Sequence, residues 1–200
     1  MYFFCDTYFE TLLMKNIFQI ILIVYFTTEC LIFWITSLLN IKGKGKKKKD
    51  GGSCFILVAG CILSILADSL LRKYLGLPLP VFFFWIGCIV TVFGIGLRIY
   101  SVLTLKRAFT VSVQVKSDQK IIKKGPYKYI RHPAYSGSII SLIGIALCFR
   151  SLFGIIATLI IIKVIYGYRI GLEEKLLEKN FGDEYKEYEK TTWRIVPHIW

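Results

Sequence analysis

At 200 residues the chain is one domain long, but its hydrophobic content of 55% and mean hydropathy of +0.58 exclude an ordinary soluble domain. Its net charge of +13 invites a nucleic-acid reading, yet the aromatic residues lie inside apolar runs instead of alternating with the basic ones, which excludes that partner. What remains is an integral membrane protein with basic loops, since Lys and Arg collect on the cytoplasmic side of a bilayer.

Residues 17–39 form the first predicted span, with Glu29 inside it. Asp6 and Glu10 precede this run where a cleavable signal would carry basic residues, so the segment is expected to stay as a span. The stretch KGKGKKKKD at 42–50 follows as a solvated loop facing anionic cytoplasmic lipid. The second span covers 54–71 and ends near Asp68; Gly76, Pro78 and Pro80 mark a short turn; the third covers 81–105 and carries Gly87, Gly94, Gly96 and Arg98. Residues 106–131 form a basic connector too long for a hairpin, and connections of that length usually carry function or lack order.

The segments 133–148 and 152–170 are predicted to form a tight helical hairpin turned at Phe149, Arg150 and Ser151. Beyond Gly171, EEKLLEKNFGDEYKEYEK is amphipathic, with Leu172, Leu176, Leu177, Tyr185 and Tyr188 at helical spacing, and is expected to lie at the membrane surface. The chain then ends in an aromatic, interfacial tail, TTWRIVPHIW. The whole reads as a single all-α domain, 1–200, an integral membrane bundle of about five helices with an amphipathic cytoplasmic C-terminal helix. Spans one and two fill 1–80, and the third span, connector, hairpin and tail fill 81–200. With five spans and an outside N-terminus, the lysine loop, the connector and the tail all face the cytoplasm, leaving Lys15, Arg72, Lys73 and Arg150 opposite.

Six cysteines (Cys5, Cys30, Cys54, Cys61, Cys88, Cys148) show no CxxC spacing and read as small buried hydrophobes, with no metal site expected. Ionisable residues within spans are costly and draw functional hypotheses by default. Glu29 and Asp68 are expected to pair with lysines or sit near interfaces; Arg98 either snorkels or faces the bundle; Lys163 lies deeper without an assigned role.

Two constellations stand out. In GPYKYIRHPAYSG, residues 125–137, Pro133 suits the first position of a helix with His132 as its cap residue. That helix start is either a Pro-capped entry to a span with basic interface anchors or a site for a carboxylate or phosphate. Arg169 and Glu173 are four residues apart on one helix face, with Tyr166 one turn earlier, where the last span meets the polar tail. As a surface ion pair they would contribute only a few tenths of a kcal/mol, and Arg before Glu is the less favourable order.

RHPAY, RxxxEE, LL…FGDEYKEY and a terminal WRIVP in that order resemble the isoprenylcysteine carboxyl methyltransferase family, most of all its small five-span prokaryotic members. The resemblance runs from Leu97 to Pro197. It implies transfer of a methyl group from S-adenosylmethionine, leaving S-adenosylhomocysteine, to the α-carboxylate of a C-terminal S-prenylcysteine. By position, it implies cofactor contacts for Gln114, Gln119, Lys120, Ile121, Ile122, Tyr127, His132, Pro133, Ala134, Tyr135 and Glu173, and an acceptor-binding role for Arg169. Arg169 and Glu173 are the expected catalytic pair. The connector is shorter than in eukaryotic members, and Gln119–Lys120 stands where they carry His–Thr. The implied partners are membrane lipid and a lipophilic prenylated cysteine, in the cell membrane of a prokaryote or the endoplasmic reticulum of a eukaryote.

The residues support this chemistry independently. A carboxylate is ionised at neutral pH and needs no general base before accepting a methyl group. Arg169 could hold it through a planar fork, while Glu173 could anchor Arg169 or face the sulfonium. A phospholipid N-methyltransferase is the nearest rival, but its amine acceptor must lose a proton and would favour a base over an arginine. A membrane sterol or enone reductase using NADPH, and a scaffold without catalysis, are the further alternatives.

Overall fold

The computed structural model describes residues 2–41, 53–75, 77–105 and 121–197. Among the described residues, six α-helices run in the order α1 Tyr2–Ile41, α2 Ser53–Leu75, α3 Phe82–Leu105, α4 Pro133–Phe149, α5 Leu152–Phe181 and α6 Asp183–Lys190, with a 3-10 turn at Gly125–Lys128 before α4. The described residues contain no strand, only isolated bridges between Pro78 and Ser151 and between Ile130 and Trp193. Thr11–Thr36, Phe55–Leu75, Phe82–Leu105 and Leu152–Phe181 are long and apolar enough to cross a membrane, and α4 is a shorter apolar helix. The chain is a multi-pass membrane protein with an all-α bundle.

Local chemistry explains the boundaries. No Gly or Pro interrupts residues 2–41, so α1 begins well before its apolar part. Pro133 occupies the first turn of α4 and His132 its cap position, as the sequence predicts, although the His132 ring does not cap the helix. Arg150 ends α4 in the left-handed region at φ 54°. Fixed partners hold it there: its carbonyl accepts from Leu79 N at 2.9 Å and Arg72 Nη1 at 2.9 Å, and its Nε donates to Leu79 O at 2.7 Å. Ser151 then caps α5 by accepting from Gly154 N at 3.2 Å.

The amphipathic tail differs from expectation. α5 does not stop at Ile170 but runs unbroken through Gly171 for 30 residues, about 45 Å at the α-helical rise and longer than the roughly 30 Å hydrocarbon core. The segment Leu172–Phe181 therefore continues the last span out of the apolar layer, because its Leu, Glu and Lys residues are strong helix formers. Gly182, at φ 53°, breaks the helix, and α6 folds back with Tyr185 and Tyr188 only 2% and 5% exposed against the protein.

α3 and α4 are antiparallel and in backbone contact. A Cβ added at Gly94 would lie 2.5 Å from Ser141 N and 2.8 Å from Gly137 O, and one at Gly87 would lie 2.6 Å from Gly144 O. Small residues allow this approach where lipid supplies no hydrophobic drive for helix association. Gly94→Ala is expected to cost about 1–3 kcal/mol by overpacking, measurable as a lower thermal midpoint in detergent. α2 packs antiparallel on α5, with Gly60 against Ile165 and Asp68 against Thr158 and Gly154. Ile95, Leu142, Ile145, Ile162, Tyr166 and Ile170 form the centre of the core.

The intramembrane charges depart from expectation too. Glu29 pairs with Arg98 instead of a lysine, and Arg98 thereby faces the bundle. Asp68 is 1% exposed, accepts a hydrogen bond from Thr158 Oγ1 at 3.1 Å and lies against Gly154 in the first turn of α5, with no lysine as its partner among the described residues. Lys163 is on the outer surface of α5, where its long stem can lie along lipid. The described thiols are free, and Cys30 is exposed instead of buried because that face of α1 looks outward. Cys88 and Cys148 meet across the α3–α4 contact, sulfur to sulfur at 3.9 Å.

Candidate active site

The RHPAY segment is tied to the end of the chain by a short parallel pairing. Trp193 N donates to Tyr129 O at 2.9 Å, Arg131 N to Trp193 O at 2.7 Å and His132 N to Arg194 O at 3.1 Å. Ser136 Oγ donates to Ile195 O at 2.7 Å. TTWRIVP is thus a structural strap across the start of α4, not a free interfacial tail.

A buried ionic knot lies beneath the strap. Glu174 Oε1 accepts from Arg131 Nε at 3.1 Å and faces His132 Nε2 at 3.2 Å, while Arg194 Nη2 donates to Oε2. Arg131 also donates through Nη1 to Thr192 O at 2.6 Å and Glu189 O at 3.1 Å. Planar guanidinium groups suit such a desolvated cluster because each spreads several donors in a fixed fork. α6 closes the other side, with Tyr188 Oη donating to Tyr127 O at 2.6 Å. Burial pushes the Tyr188 hydroxyl up to about 12 and raises that of Tyr127, so both are neutral at physiological pH.

The second cluster joins the two constellations read from the sequence. The Tyr135 hydroxyl donates to Glu173 Oε2 at 2.6 Å and accepts from Arg169 Nε at 3.0 Å. The Tyr135 ring stacks on His132 with centroids 5.7 Å apart and meets Tyr166 edge-on at 5.9 Å. Arg169 is 2% exposed, whereas Tyr135 and Glu173 are half-buried. An arginine, a carboxylate and a phenol thus share one spot where α5 leaves the apolar layer.

Of the residues implied by resemblance, Tyr135, Arg169 and Glu173 are brought together, and His132 and Tyr127 border them. Pro133 and Ala134 are buried at the start of α4; Ile121 and Ile122 are half-buried ahead of the 3-10 turn. Gln114, Gln119 and Lys120 lie outside the described residues. The sequence by itself gives Glu174, Arg131 and Arg194 no distinct role. The signal was there in the adjacent pair Glu173–Glu174 and in WRIVP, but only the fold shows that neighbouring glutamates face different clusters.

Comparison with known proteins places the chain in a family. A family model described as Phospholipid methyltransferase matches residues 82–184, which span α3, the motif, α4, α5 and the start of α6. A probable protein-S-isoprenylcysteine O-methyltransferase of Oryza sativa subsp. indica is 29% identical over 117 residues, covering 58% of this chain and 61% of that protein. The protein-S-isoprenylcysteine O-methyltransferase of Dictyostelium discoideum is 32% identical over 117 residues, covering 58% of this chain and 49% of that protein. The chain thus spans between about half and three-fifths of the length of these relatives. In fold it is similar to the solved structure of the eukaryotic intramembrane Ras methyltransferase, isoprenylcysteine carboxyl methyltransferase, at a TM-score of 0.59 and 22% identity, covering 90% of this chain and 67% of that one. The chain belongs to the phospholipid methyltransferase family, and within it is similar to the isoprenylcysteine carboxyl methyltransferases, as its RHPAY and RxxxEE motifs imply.

Proposed function

We propose that the protein transfers a methyl group from S-adenosylmethionine to the α-carboxylate of a C-terminal S-prenylcysteine, or of a similar lipophilic acid, at the cytoplasmic face of the membrane. The observation that carries this reading is the Tyr135 hydroxyl set between Arg169 and Glu173 where an apolar span meets a polar extension. A lipid-borne acceptor and a water-borne donor would meet at that boundary.

The residues present suit such a donor. Glu173 offers a half-buried carboxylate for the positive charge, and Tyr127, His132 and Tyr135 offer aromatic surface beside it. The backbone around Pro133 and Ala134, and residues 121–122, would complete the pocket, with Gln114, Gln119 and Lys120 as further contacts implied by the family. When bound, S-adenosylmethionine supplies an electrophilic methyl group. Arg169 holds the acceptor carboxylate through its planar guanidinium. Tyr135 keeps that guanidinium in plane and at a fixed distance from Glu173. The strap and α6 cover the polar side, so the residues align the reactants and exclude water instead of moving a proton.

The name of the matched family makes phosphatidylethanolamine the natural competing acceptor. A buried arginine at the reaction point favours a carboxylate over an amine. Purified protein with radiolabelled S-adenosylmethionine is expected to label a farnesylcysteine analogue and leave phosphatidylethanolamine unlabelled; the reverse preference overturns the assignment.

The orientation is testable separately. α1 and α2 run antiparallel, and the ends flanking residues 42–52 lie at the same end of the bundle as the motif and α6. Single cysteines introduced at Lys46 and Glu187 are expected to be labelled from the same, cytoplasmic, side, and labelling from opposite sides rules this topology out.

A further inference from the structure

Glu29 lies on α1, ahead of the stretch that the family model covers, yet its side chain reaches the motif. Its carboxylate accepts two hydrogen bonds from Arg98, Nε to Oε1 at 3.1 Å and Nη2 to Oε2 at 3.0 Å, and a third from Ser138 Oγ at 3.3 Å. The two-pronged geometry fixes the plane of the guanidinium. Arg98 Nη1 then donates to Ala134 O at 3.0 Å. That carbonyl belongs to the peptide entering Tyr135, whose hydroxyl is shared by Arg169 and Glu173.

Two features separate this pair from a helix clasp. Its charges are largely removed from water, with side chains 12% and 29% exposed, and a desolvated pair is weak evidence of stability because an apolar pair of similar size often does as well. Its third donor is spent on the motif backbone, which an ion pair serving only to hold α1 would not need. We infer that Glu29 and Arg98 are positioning residues: the carboxylate on α1 orients Arg98, and Arg98 sets the Ala134–Tyr135 peptide and with it the Tyr135 hydroxyl. The inference rests on the methyl-transfer reading for its activity measurement alone.

The test uses the full chain in nanodiscs, with 3-fluorotyrosine placed at position 135. The exchange Glu29→Arg with Arg98→Glu restores opposite charges but leaves no donor at position 98 for Ala134 O. It is expected to keep a thermal midpoint close to that of the unmodified protein and to lower kcat by about tenfold or more, because small misplacements near reacting groups are costly. The fluorine resonance at Tyr135 is expected to move. Should the exchanged pair not fold, Glu29→Leu with Arg98→Met leaves no unpaired buried charge and carries the same expectations. Recovery of kcat to within about twofold, with the fluorine resonance at its original position, would overturn the inference. Absence of methyl transfer to farnesylcysteine by the unmodified protein would defeat the proposed function, and the fluorine shift would still decide the positioning role.

Discussion

Arg169→Ala is expected to lower methyl transfer to a farnesylcysteine analogue by about 10²-fold or more, the usual scale for losing a preorganised charged contact at a reacting group. The guanidinium is buried and bonded to the Tyr135 hydroxyl, so its direction is set before any acceptor arrives. Arg169→Lys retains the charge without the planar fork and should not restore full activity. Cofactor affinity, read by calorimetry with S-adenosylhomocysteine, should change little in Arg169→Ala and fall in Glu173→Ala. Near-normal turnover in a folded Arg169→Ala protein would sink the proposed mechanism. His132→Ala is less informative, since it removes both the ring stacked on Tyr135 and a partner of Glu174.

Glu174→Ala should act on the fold itself. Its carboxylate meets Arg131, His132 and Arg194 while only 8% exposed, so removal leaves the largely buried Arg131 guanidinium without this carboxylate and Arg194 unpaired from the strap side. Breaking a buried pair of this kind costs about 3–5 kcal/mol, a large part of the stability of a domain this size. The expected result is a steep fall in thermal midpoint in detergent and release of the strap, seen as faster amide exchange at residues 191–196. Glu173→Ala, one residue away, is expected to leave the midpoint nearly unchanged and to alter binding. Similar melting of the two variants would contradict the division between an ionic knot and a reaction point.

These adjacent glutamates mark the limit of what the sequence determined. Run length and hydropathy mark α1, α2, α3 and α5 as spans, because a bilayer demands about 20 apolar residues per crossing whatever the neighbours are, and α4 falls short of that length. Pro133 and His132 mark the start of α4 because proline constrains only its own neighbourhood. RHPAY with RxxxEE is enough to indicate the family, and the four-residue spacing puts Arg169 and Glu173 on one face. Tertiary structure decided everything that depends on which distant surfaces meet. Only the fold brings Tyr135 between Arg169 and Glu173, from another helix. The course of α5 past Gly171 was hidden because charged residues of high helix propensity can continue a span or begin a surface helix equally well. Glu29 and Arg98 are 69 residues apart and share no motif; they pair because a charge inside a bilayer must find its partner across the bundle.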